Sequence, residues 1–92
     1  MKITQSSFKP HKGNYGLKGF LELEIDSSIF LDGILVYAEG NRVWFKTPAK
    51  KLQNGTLVPF YSFCDKALEA RIIKIIKEKI QTDFTLINKK ND

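Results

Sequence analysis

The chain has 92 residues, 42% hydrophobic and 27% charged, with 15 Lys and Arg against 10 Asp and Glu, hence a net charge of +5 and a pI near 9.4. One domain of this size holds only a thin stability margin and gains by dimerising, and its lone cysteine, Cys64, excludes an intrachain disulfide and fits a reducing compartment. No apolar run approaches the roughly 18 residues of a membrane span, and no apolar N-terminal core marks a signal peptide, so a cytoplasmic protein with no membrane partner is expected. The cationic surplus favours an anionic partner, nucleic acid above all.

In chain order, Ile3 to Lys9 reads as a first strand at a sheet edge, closed by Pro10, which cannot extend a ladder. "HKGNYG" (11–16) is a loop of turn formers. Leu17 to Ile25 alternates, with Leu21, Leu23 and Ile25 on one side and Phe20, Glu22 and Glu24 on the other, the period of a half-buried strand. After the turn at Asp26-Ser27-Ser28, "IFLDGILVYA" (29–38) is apolar except at Asp32-Gly33. It predicts a strand buried on much of both faces, with a bulge at Asp32-Gly33. "EGN" (39–41) turns the chain, and "RVWFKT" (42–47) returns as the next strand, ending at Pro48.

"TPAKKLQNGT" (47–56) then reads as a loop with an Asn54-Gly55 turn. "LVPFYSF" (57–63) is a short strand or extended segment that Pro59 demotes to an edge. Asp65 is a helix N-cap candidate; Glu69 misses the strict capping-box spacing by one. From Lys66 to Gln81 the period turns helical, with Leu68, Ile72, Ile73, Ile75, Ile76 and Ile80 on one arc and Arg71, Lys74 and Lys77 on the opposite one. The fold class is therefore α+β: a small antiparallel sheet of four to five strands followed by one C-terminal amphipathic helix. A single domain spans residues 1–82 and a tail 83–92, where Phe84, Leu86 and Ile87 have the means to dock.

Lys50 and Lys51 are the first candidate site. Lysines protect exposed β edges, so the pair reads as a solubilised hairpin tip; equally, a protruding basic loop clamps phosphates and releases counterions. Lys46 precedes them and shares a face with Lys50 only if the strand continues past Pro48. Arg71, Lys74 and Lys77 are the second candidate, either a solvated helix face or an extension of the same basic surface. Trp44 and Phe45 fall on opposite sheet faces; burial in the core or a dimer interface is expected for at least one, whereas an exposed ring beside lysines, with Tyr37 near by, stacks a base. His11, between Lys9 and Lys12, is a loop histidine. One histidine and one cysteine without CxxC or HxxxH spacing build no metal site. Cys64 is expected to be a buried, inert thiol. Asp26, Asp32, Asp65 and Asp83 suit turns and caps, and no phosphate-binding Gly-rich loop occurs. No enzyme activity, cofactor or small-molecule substrate is expected.

The run "FLELEIDSSIFLDGILVYAEGNRVWFKTPAKKLQNGTL", with "KIT" before it and "ALEARIIKIIKEKI" after it, resembles the SpoVG (stage V sporulation protein G) family of small bacterial nucleic-acid-binding regulators over residues 2 to 80. Ile34, Val36, Gly40, Phe45, Pro48, Lys50, Lys51 and Gly55 stand where that pattern wants them. Leu35 replaces a commonly basic residue, Ala49 a serine, Ser62-Phe63 a His-Pro, Asp65-Lys66 an Asn-Ser cap and Leu52-Gln53 a Thr-Pro, so the chain looks like a divergent member. The resemblance implies a homodimer that binds DNA or RNA without catalysis, in regulation such as that of sporulation or septation, with the loop basic pair on the phosphate backbone. The rival reading is a small dimeric adaptor that holds an acidic protein. The scarcity of arginine, with only Arg42 and Arg71 present, favours it, because arginine is the usual reader of bases and bidentate binder of phosphate.

Overall fold

The computed structural model describes the backbone of residues 1–91 and the side chains of residues 1–80. Six strands, β1 (Ile3–Pro10), β2 (Leu17–Ile25), β3 (Ile29–Glu39), β4 (Arg42–Lys46), β5 (Ala49–Lys51) and β6 (Leu57–Pro59), precede one helix, α1 (Lys66–Asn91). The first four make an antiparallel meander in the order β1-β2-β3-β4, and β5 pairs with β6 as a separate hairpin. This is the expected α+β architecture, with one strand more than the expected range because β5 forms within the segment read as a loop.

The core follows from the period-2 pattern of two adjacent strands meeting the helical period of α1. Leu21, Leu23 and Ile25 of β2 and Ile34 and Val36 of β3 pack against Leu68, Ile72 and Ile76 of α1, all essentially excluded from solvent. Phe8, Val43 and Phe45 extend this layer across β1 and β4. Register places Phe8 opposite Leu21 and Phe45 opposite Val36. The ladder shifts where Leu21 pairs with Ile34 and Leu23 with Leu31, leaving Asp32-Gly33 as the expected bulge. Gly33 has φ of +77° there, a conformation that costs a side-chain-bearing residue free energy. Asp32 Oδ1 accepts a hydrogen bond from the Gly33 N–H at 2.6 Å.

The single helix covers one face only. Burial of β3 on both faces therefore does not occur: Ile34, Val36 and Ala38 are buried, Leu35 and Tyr37 are half-buried, and Ile29 and Phe30 are exposed. The N-cap is as expected, since Asp65 Oδ1 accepts hydrogen bonds from the N–H groups of Ala67 (2.9 Å) and Leu68 (3.3 Å). The helix runs ten residues beyond the predicted stop at Gln81, to Asn91, because no Gly or Pro follows Pro59 to end it. Docking of Phe84, Leu86 and Ile87 lies outside the described side chains. Cys64 is exposed, contrary to expectation. The extended link into α1 turns its neighbour Phe63 toward the core, where Phe63 meets Phe45 edge-on at 6.0 Å between ring centroids. No described helix is long and apolar enough to cross a membrane.

Candidate nucleic-acid interface

Lys50 and Lys51 lie in a strand and not at a loop tip. The tip is the tight turn that follows, where Asn54 Oδ1 accepts from the Thr56 N–H at 2.9 Å, the Gly55 N–H donates to the Leu52 carbonyl at 3.0 Å, and Gly55 takes φ of +87°. Register sets Lys50 opposite Val58 and Lys51 opposite Leu57. Successive strand residues point to opposite faces, so each face of this ribbon carries one lysine beside one aliphatic side chain. Both lysines are exposed, and neither has a carboxylate partner among the described residues. Two exposed cations on a thin, two-stranded projection suit contact with a polyanion on either side.

The ribbon is anchored where the chain leaves and rejoins the sheet. The Phe60 N–H donates to the Pro48 carbonyl at 3.0 Å, Pro48 lies against Gly33 at the bulge, and the Tyr61 hydroxyl donates to the Asp32 carbonyl at 3.0 Å. Partial burial and the nearby Asp32 carboxylate raise the Tyr61 phenol above its ordinary value, in that order of importance, so it stays a donor. The arm also exposes Leu57 (65%), Phe60 (67%), Val58 and Leu52.

Lys46 stands elsewhere. Strand β4 ends at Lys46 and β5 starts in a second sheet after Thr47-Pro48, so the two strands are not continuous and Lys46 shares no strand face with Lys50. Because Phe45 faces the core, Lys46 projects from the sheet face opposite α1, where its Nζ sits over the Tyr37 ring at 5.4 Å. Arg71 and Lys74 are on the other side of the sheet. With Lys2, Ile3, Ile75 and Glu78 they line a shallow depression of about 310 Å³, in which an Arg71 Nη donates to the Met1 carbonyl at 2.8 Å. Lys77 is exposed on the same helix. The sheet thus separates the helix cations from Lys46. Among the described residues no group of three or more His, Cys, Asp or Glu side chains is arranged to hold a metal ion.

Trp44 and Tyr37, expected from sequence near the basic loop, form with Arg42 and Lys46 a ladder on the open sheet face that was not expected. Trp44 pairs with Tyr37 across β3 and β4, and their rings lie parallel, 4° apart in plane and 5.6 Å between centroids. The Arg42 guanidinium covers the Trp44 ring at 5.1 Å. Arg42, Trp44 and Lys46 sit at i, i+2 and i+4 of one strand, which was a usable signal; the cross-strand partner Tyr37 depends on the β3–β4 register.

No protein-family model matches the chain, and no curated protein does.

Proposed function

We propose that this chain is a non-catalytic nucleic-acid-binding regulator that acts as a cytoplasmic homodimer and grips the phosphate backbone of DNA or RNA through Lys50 and Lys51. The observation that carries the reading is the pair of neighbouring, exposed lysines on a projecting two-stranded arm, free of carboxylate partners among the described residues. The net charge of +5 and the resemblance to SpoVG-type regulators support it. Lys46 flanks the arm, and Arg71, Lys74 and Lys77 add a second cationic surface on α1. Lysine acts as a point charge, so the grip positions the backbone with little readout of bases.

Fluorescence anisotropy of a labelled oligonucleotide at several salt concentrations tests this. Lys50→Ala/Lys51→Ala is expected to weaken binding and to flatten the log–log salt slope by about 1.4 to 1.8, the contribution of two phosphate contacts. Unchanged affinity and slope would show that the lysines are not the contact.

The exposed apolar side chains of the arm favour a second reading, a dimeric adaptor for an acidic protein without nucleic-acid binding. Failure to bind either DNA or RNA at low salt would favour it.

A further inference from the structure

The side chains of the sheet face away from α1 divide it into two ends. At one end Glu22 is bound to Lys9 (3.1 Å) and the Ser7 hydroxyl (3.1 Å), and Glu24 accepts from the Thr4 hydroxyl at 2.9 Å. Those carboxylates are engaged by β1. The other end is aromatic and cationic. Phe20, Leu35, Tyr37 and Trp44 are half-buried with no helix over them, and Arg42 and Lys46 fold over the two stacked rings. The carboxylate at this end is that of Glu39, opposite Arg42 in register. Tyr15 stands at its border, 93% exposed. It is held at φ of +60°, an outlier for a bulky side chain. The next residue, Gly16, anchors this loop by accepting from the Ala38 N–H at 3.0 Å, and a Cβ there would lie 3.8 Å from the Trp44 ring.

We infer that this end of the open face is a stacking site for unpaired bases of single-stranded nucleic acid, with Trp44 and Tyr37 as the platform, Tyr15 as its outer wall, and Arg42 and Lys46 as the cations that meet the backbone. The inference rests on the nucleic-acid reading above and adds the strandedness of the ligand and the place of its bases. Aromatic side chains interleaved with cations are what an unpaired strand requires, because only unpaired bases expose their faces. The relative strengths permit it. A cation over an exposed ring biases its geometry about 2- to 5-fold, whereas stacking one base strengthens binding about 5- to 150-fold. Arriving bases therefore displace Arg42 and Lys46 from the rings and release them to phosphates. Lys50 lies four residues beyond Lys46, at most about 14 Å along the chain, so the arm is within reach of a strand leaving the platform.

Trp44 is the chain's one tryptophan, so its emission reports the platform directly in the unmodified protein. Short oligo(dT) and oligo(U), which share the base faces and phosphates invoked, are each titrated while labelled-strand anisotropy is followed in parallel. The expected result is quenching of Trp44 with the same midpoint as the anisotropy change, and no quenching by a duplex of equal length. Trp44→Leu should weaken single-strand binding about 5- to 150-fold. Lys50→Ala/Lys51→Ala should lower the affinity yet leave the quench at saturation intact. Anisotropy-detected binding without quenching, unaffected by Trp44→Leu, would place the strand on the arm alone; it would overturn this inference and leave the nucleic-acid reading standing. Absence of binding to both strands at low salt would overturn both. A shift of Trp44 emission that tracks protein concentration without any oligonucleotide would assign the face to a second copy of the chain, and so overturn the inference as well.

Discussion

Glu22 shows how a single side chain is placed by non-local register. It projects from the open face because Leu21 and Leu23 take the core face. Ser7 lies directly opposite and Lys9 diagonally so. The Lys9 ammonium hydrogen-bonded to it, helped by the Ser7 hydroxyl, holds the Glu22 carboxyl below the usual glutamate range; the same hydrogen bond, then the charge of Glu22, raises Lys9 above its ordinary value. The sign follows by linkage. The Glu22 contribution is present above the ordinary glutamate pKa and is lost as pH falls through the lowered folded value. The Lys9 contribution is present below the ordinary lysine pKa and is lost as pH rises through the raised one. Glu22→Gln should therefore lessen the fall in urea midpoint between neutral pH and about pH 3 to 4. The effect should be small and screened by salt, as exposed pairs are. An unaltered acid dependence would mean that the pair contributes nothing. Alternation alone assigned Glu22 outward; its partners were not legible, since they depend on how β1 aligns with β2 across more than ten residues of chain.

The elements differ in how locally they are specified. The start of α1 was legible because its cap, Asp65, and its apolar arc are contiguous in sequence. Its end was not, since no local stop signal exists: the polar run Gln81-Thr82-Asp83 reads as a break, yet Phe84 and Ile87 continue the apolar spacing beyond it. Strand β3 misled for a global reason: its residues are apolar on both sides, but one helix covers one face. The two sides should respond differently to truncation. Ile72 is fully enclosed, so Ile72→Ala should cost about 2–5 kcal/mol through lost transfer free energy and a cavity. Leu35→Ala, on the uncovered face, should cost clearly less, because solvent already reaches it. Urea denaturation of the two variants distinguishes them; equal losses would mean that something shields the open face in solution. The candidate site divides the same way. Lys50 and Lys51 were singled out by sequence as candidates, but their strand setting was not legible, because β5 is three residues long and takes its shape from β6 and not from its own composition.

At the scale of the molecule, the arm is the part least held by the core. A two-stranded hairpin is marginal by itself, and this one exposes Leu57, Val58 and Phe60, neighbouring apolar side chains of the kind that mark interaction surfaces. The proposed homodimer covers those side chains. Leu57→Ser/Phe60→Ser should shift the protein toward monomer in sedimentation velocity while α1 and the sheet keep their far-ultraviolet signature. A wild-type protein that sediments as a monomer at every concentration would remove the dimer from the proposal. The arm's side chains carry a further consequence. Each face sets a lysine beside an aliphatic residue, so on the proposed reading self-association and phosphate binding act on one ribbon. Two equilibria that use one element are thermodynamically linked, and the link is reciprocal: nucleic acid changes the dimer's stability by the factor with which dimerisation changes nucleic-acid affinity. The apparent affinity for an oligonucleotide then depends on protein concentration, rising where the two occupants of the ribbon cooperate and falling where they compete.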